Sequence, residues 1–135
     1  MIDVMIADYQ ELSRAGLLEV LSVVEDVRIV GQAQSPEQLL STLKKVNPHV
    51  LVLSTDFLPV YPKIQRMLKR RKTALLLLAE QNDQVDYMQW LRAHGIVYRW
   101  VDVPVLLDAM RRVASGDLFL QDPSSDTRLD KSDVA

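Results

Sequence analysis

Three side chains follow buried-looking apolar runs and are of types that could handle a metal ion or a phosphoryl group: Asp8 after residues 2–7, and Ser54 and Asp56 after residues 50–53. Such a run ending in small polar and acidic residues reads as a buried parallel strand that delivers side chains to a site at its carboxyl end. Asp8 and Asp56 are the hard oxygen ligands that Mg²⁺ takes. Two carboxylates without a third acid hold a metal weakly, so structural hydrogen bonding is the competing reading and no bound metal is expected. Asp56 lies two residues after Ser54. If the strand runs that far, both share a face, roughly 6–7 Å apart. The favoured reading of Asp56 is a solvated loop or capping aspartate. Arg99 shares a strand face with Val101, and it has two readings. It turns in toward Asp8 or Asp56, or it is a surface arginine on an edge strand, which is the expectation; if inward it must be paired.

The elements that must position these groups follow from periodicity. Strands are expected over 2–7, 27–31, within 48–59, and over 74–79 and 96–101. Helices are expected over 10–23, with Leu12, Ala15, Leu18 and Leu21 on or near one face, and over 36–46, 62–71, about 83–93 and 103–115. Ser35-Pro36-Glu37-Gln38 has the composition of a capping box with proline at the first helical position. His94-Gly95 reads as a left-handed glycine stop, and Gly31 closes the second strand. The last helix has Leu106, Ala109, Met110 and Val113 inward, Asp102 as its cap and Gly116 as its end. Five alternations of strand and helix with short connections imply a doubly wound five-stranded parallel sheet in three α/β/α layers. Sites in such sheets form beyond the carboxyl ends of the strands, which points to Asp8-Tyr9, Ser54 to Asp56, Ala79-Glu80 and Val101-Asp102. From Asp122 the chain turns polar. Residues 1–121 therefore read as one domain and 122–135 as a linker or frayed tail.

Composition narrows the function. With 135 residues, 48% hydrophobic, 25% charged and a net charge of −2, the chain is an ordinary globular domain without a generally basic surface. It has no cysteine, which excludes thiol catalysis and thiolate metal sites. No run approaches the ~18 apolar residues of a membrane span. The start, Met1-Ile2-Asp3-Val4, does not read as a signal peptide, so a cytoplasmic location is expected. There is no glycine-rich phosphate loop and no nucleophile beside a base, so an enzyme is not expected. The cations Lys63, Arg66, Lys69, Arg70, Arg71 and Lys72 read as a solvated face that complements a helix dipole, with contact to nucleic acid or an acidic partner as the alternative.

Several segments in order resemble the receiver domain of response regulators, NarL/LuxR-type subclass: Ile6-Ala7-Asp8-Tyr9-Gln10-Glu11-Leu12, Leu17-Leu18 after Arg14-Ala15-Gly16, Leu91-Arg92-Ala93-His94-Gly95-Ile96-Val97-Tyr98, and Ala109-Met110-Arg111-Arg112-Val113-Ala114-Ser115-Gly116. The resemblance covers residues 2 to about 120. It implies a flavodoxin-like fold with strand order 2-1-3-4-5. It also implies a pocket with an acceptor aspartate, two acids for Mg²⁺, a switch hydroxyl and a lysine. Carried over, Asp8 keeps one acidic place and Tyr9 takes the second. Ser54 stands at the acceptor, Ala79 at the hydroxyl, Val101 at the lysine and Tyr98 at the aromatic switch.

Serine cannot form an aspartyl phosphate, alanine has no hydroxyl to meet a phosphoryl oxygen, and valine cannot neutralise one. The expectation is thus a degenerate receiver of a transcriptional regulator. It would act in two-component-type signalling through a homodimer or a partner, without phosphorelay from a histidine kinase and without Mg²⁺. DNA would be met only by an output domain outside this sequence. The alternative is a phosphorylatable receiver with Asp56 as a displaced acceptor. Tyr87, Trp90, Tyr98 and Trp100 are candidate interface residues, because the family uses the surrounding faces for contacts and aromatic side chains are enriched at hot spots.

Overall fold

The computed structural model describes residues 1–80, 93–99 and 101–120. The expected helix around 83–93 with Tyr87 and Trp90, together with Trp100 and the 122–135 tail, lies outside the described residues. In chain order the elements are β1 (Ile2–Ala7), α1 (Glu11–Leu21), β2 (Val27–Ala33), α2 (Pro36–Leu43), β3 (Val50–Ser54), a 3-10 turn (Thr55–Val60), α3 (Tyr61–Leu68), β4 (Ala74–Ala79), β5 (Gly95–Tyr98), α4 (Val103–Ala114) and β6 (Phe119–Leu120). The sheet is parallel, in the order β2-β1-β3-β4-β5-β6. The expected five-strand order is present, and a short sixth strand extends it. Phe119 and Leu120 pair with Gly95 and Ile96, and the Phe119 amide donates to the His94 carbonyl at 3.0 Å.

Alternation along each strand builds two cores. Leu51, Leu53, Leu75 and Leu77 meet α2, the 3-10 turn and α3 through Leu39, Leu43, Phe57, Tyr61 and Ile64. Val50, Val52, Leu76 and Leu78 meet α1 and α4 through Leu21, Leu106, Ala109, Met110 and Val113. The central strands β3 and β4 are buried along their whole length, the burial expected for strands covered on both faces. The inner face expected for α4 is the buried one. Burial of Leu106, Met110 and Val113 contributes roughly 1.5–3 kcal/mol each.

Local signals are realised with differences. The Gln38 amide donates to Ser35 Oγ at 3.2 Å, while Gln38 Oε1 accepts from the Gln34 amide at 2.8 Å. Asp102 holds the cap position of α4, but its side chain makes no capping bond. Gly116, at φ +99°, ends α4 in the left-handed conformation. Gly95 is not a left-handed stop. It is the first residue of β5, and a Cβ there would meet Leu76 Cδ1 at 2.7 Å and Val113 Cγ1 at 2.9 Å, so packing requires the glycine. Gly31 does not end β2, which runs on to Ala33 past a register shift opposite Val4 and Met5. Leu12 is 87% exposed, and α1 instead buries Arg14 and Leu21. Among the described residues no helix is long and apolar enough to cross a membrane.

Candidate functional site

The strand order reverses at β1, whose neighbours β2 and β3 connect through α1 and α2 on opposite faces. A crevice opens at such a point, beyond the carboxyl ends of the strands. Ala7 pairs with Leu53 and Ser54 with Leu78, so Asp8 leaves β1 beside the end of β3. Its backbone is held on both sides: its amide donates to the Ala33 carbonyl at 3.0 Å, and its carbonyl accepts from Arg14 Nη1 at 2.7 Å. Arg14 also donates to Gln34 Oε1 at 3.0 Å. This explains why a cation is buried on the inner face of α1.

The Asp8 side chain is fully buried, and both its oxygens are taken by one guanidinium. Arg99 Nη1 donates to Oδ2 at 2.7 Å and Nη2 to Oδ1 at 3.2 Å. The Gln10 amide donates to Oδ1 at 3.0 Å. Arg99 Nη1 also donates to Ser13 Oγ at 2.6 Å, Nε donates to Glu80 Oε1, and Nη2 lies 3.7 Å from Asp56 Oδ2. Three carboxylates from the ends of β1, β3 and β4 thus converge on one cation from the end of β5. Burial works against the charged Arg99, but the hydrogen bonds and charges of Asp8 and Glu80 outweigh it and raise its pKa above the usual arginine value.

This geometry corrects the surface reading of Arg99, which is inward because the buried Asp8 needs a counter-charge. Arg99 is the first residue past β5 and places a cation at the strand end, two residues before Val101, which carries none. Val101 itself packs half-buried against both cores. Asp56 does not continue β3. The strand stops at Ser54, and Asp56 sits in the first turn of the 3-10 segment, 41% exposed, with one edge toward Arg99.

Ser54 is fully buried, and its Oγ makes no hydrogen bond among the described residues. Ala79 is fully buried in the α2/α3 core, so no side-chain hydroxyl stands at the end of β4. Tyr9 does not enter the crevice. It is 42% exposed and lies over Phe57 with ring centroids 4.4 Å apart. Burial, then the charges of Glu37 and Asp56, raise its pKa. Tyr98 is wholly inside the core, which removes it as a residue that a second copy could touch. Sequence reasoning missed Ser13 and Arg14. Their only sequence signal is a hydroxyl and a cation one turn into the helix that follows Asp8.

Both oxygens of the one buried carboxylate among the described residues of this crevice accept from Arg99. The arrangement holds β1, β3, β4 and β5 together at their carboxyl ends through charge-assisted bonds, which are stronger than neutral ones.

The fold is that of response-regulator receiver domains. No family model matches the chain. It is 22% identical over 125 residues to the response regulator GacA of Pseudomonas aeruginosa, covering 89% of this chain and 58% of that protein. It is equally 22% identical to the nitrate/nitrite response regulator NarL of Escherichia coli K12, covering 88% and 57%. The chain therefore spans little more than half the length of these curated relatives. The isolated receiver domain of RcsB from Salmonella enterica serovar Typhimurium, solved with the phosphomimetic BeF3⁻, superposes with a TM-score of 0.79 at 22% identity, over 92% of this chain and 96% of that one.

Proposed function

We propose that this chain is a receiver-type regulatory module that signals by contact, with its own arginine in place of the metal and phosphoryl group. The observation that carries this is the Arg99 guanidinium seated on both oxygens of Asp8 and flanked by Glu80 and Asp56. Ser54 at the end of β3 supports it, since a buried serine gives no acyl phosphate and no charge to a cation. Where phosphorylation would bring charge and a metal to the crevice, the fold closes it with a permanent ion pair. The switched property is then the surface, which meets a second copy or a partner. Sequence-specific DNA binding belongs to an output domain of a longer parent regulator, and no catalytic activity is assigned.

A second reading rests on Asp56, which is accessible and 3.7 Å from a cation. In it, Asp56 accepts a phosphoryl group and Arg99 neutralises it. Incubation of the chain with Mg²⁺ and a small acyl phosphate, read by intact mass, separates the two. The first reading requires no added phosphoryl group. An adduct that disappears in Asp56→Asn would establish the second and overturn the first.

A further inference from the structure

The other end of the sheet carries a feature unrelated to the crevice. α2 and α3 lie side by side on one face, and both run antiparallel to the strands, so their carboxyl ends meet at the amino-terminal edge of the sheet. Lys44 and Lys45 follow α2. Lys63, Arg66, Lys69, Arg70, Arg71 and Lys72 lie on and after α3. These are eight of the chain's 16 lysines and arginines. Between Lys44 and Lys72 the one acidic residue is Asp56, at the opposite end of β3. The three segments that bring the cations together form one surface: Lys44, Lys63 and Arg66 wall one hollow, Lys44, Lys45 and Arg70 a second, and Arg66 and Lys69 a third of about 520 Å³, with Arg71 and Lys72 shared between the last two. Arg71 ties the two loops by donating to the Val46 carbonyl at 3.2 Å.

Dipole complementation does not account for this number. Two helix ends supply about one negative charge between them, against seven cations at or just past their last turns, Lys63 lying in the first turn of α3. Among the described residues none of the eight is in an ion pair. Seven of them are exposed. The chain as a whole is −2, so the excess is confined to this end. The acidic crevice lies a strand length away, about 20 Å for six residues, which is about two and a half Debye lengths at physiological salt.

The chemistry of the patch selects among anions. Protein hot spots centre on aromatic side chains and arginine; among the described residues the exposed large hydrophobics (Met1, Tyr9, Leu12, Val23, Val103, Leu118 and Leu120) lie outside α2, α3 and the loops that follow them, so the arginines here stand without apolar neighbours of that kind. Single strands are held by stacking on exposed rings, and among the described residues of these segments the aromatic one, Tyr61, is buried. Cations whose described neighbours offer no exposed ring fit a duplex read only through its phosphates. We infer that the α2/α3 carboxyl end is a sequence-independent contact for the phosphate backbone of duplex DNA. In a longer regulator it would steady the receiver on DNA beside whatever sequence the output domain reads.

The test is fluorescence anisotropy of the full chain with a 20-base-pair duplex of arbitrary sequence at rising salt. With four to six phosphates engaged, affinity falls by roughly 10²–10³ between 50 and 200 mM salt. Lys44→Glu/Lys45→Glu/Arg70→Glu/Lys72→Glu, all at exposed positions, abolishes binding at 50 mM salt. Exchanging four acceptors of similar exposure elsewhere, Glu11, Glu19, Glu25 and Asp117, for glutamine leaves the salt slope unchanged. The inference is overturned by any of three results: no binding by the wild-type chain at 50 mM salt, a four-fold variant that binds as well as the wild type, or polyglutamate or a single strand bound more tightly than the duplex.

Discussion

Replacing Arg99 by methionine removes the cation and keeps most of the side-chain volume. Asp8, with no exposed surface, would keep only the Gln10 amide at 3.0 Å. Removing one partner of a buried pair costs about 3–5 kcal/mol, because the other charge stays buried and uncompensated. The surviving amide bond and the 14% exposure of the Arg99 side chain place this site at the low end, about 3 kcal/mol. For a domain of this size that lowers Tm by about 10 °C. The assay is urea unfolding of wild type, Arg99→Met, Asp8→Asn and the double variant. If the cost is the stranded carboxylate, Asp8→Asn in the Arg99→Met background restores about 1–2 kcal/mol, although it destabilises the wild type. Mg²⁺ at ten times its Kd for the freed carboxylates would stabilise Arg99→Met by about 1.4 kcal/mol and leave the wild type unmoved. An Arg99→Met protein within about 0.5 kcal/mol of wild type, or a double variant weaker than both singles, refutes the reasoning.

Two other outcomes follow from buried groups. Ser54→Ala should be neutral or stabilising by up to about 1 kcal/mol in the same unfolding assay, since it removes a buried hydroxyl without a bond among the described residues; a loss above about 1 kcal/mol would mean that the hydroxyl has a partner. Burial pushes the Tyr61 phenol up to about 12. Its folded pKa lies above the unfolded value of 10, so its contribution to stability is present below pH 10 and lost as pH rises from 10 through 12. Phenolate absorbance should therefore show a late step that disappears in Tyr61→Phe. A late step that survives this substitution would assign it elsewhere.

Much of the fold was legible because its signals are local. The apolar runs of β3 and β4, the three-and-four spacing of Leu106, Ala109, Met110 and Val113, and the Ser35-Pro36 start of α2 each declare an element within a dozen residues. Where local signals misled, a neighbour distant in sequence had decided the outcome. Leu12 fits a helical stripe yet is exposed, because the crevice claims the inner face of α1's first turn for Arg14. Gly95 resembles a helix stop, but it is needed where β5 passes under Leu76 and Val113.

The chain's pattern of apolar and polar residues determined by itself that a parallel sheet would set Asp8 and Ser54 at the same edge. It also showed that a serine, not a carboxylate, ends the third strand, since residue identity needs no coordinates. Only the tertiary structure decided the fate of Arg99. Whether a charge at a strand end turns to water or inward depends on whether a buried opposite charge waits there, and that charge comes from a residue 91 positions earlier in the chain. Hydrophobic periodicity is a property of neighbours along the chain; charge pairing in a crevice is a property of neighbours in space.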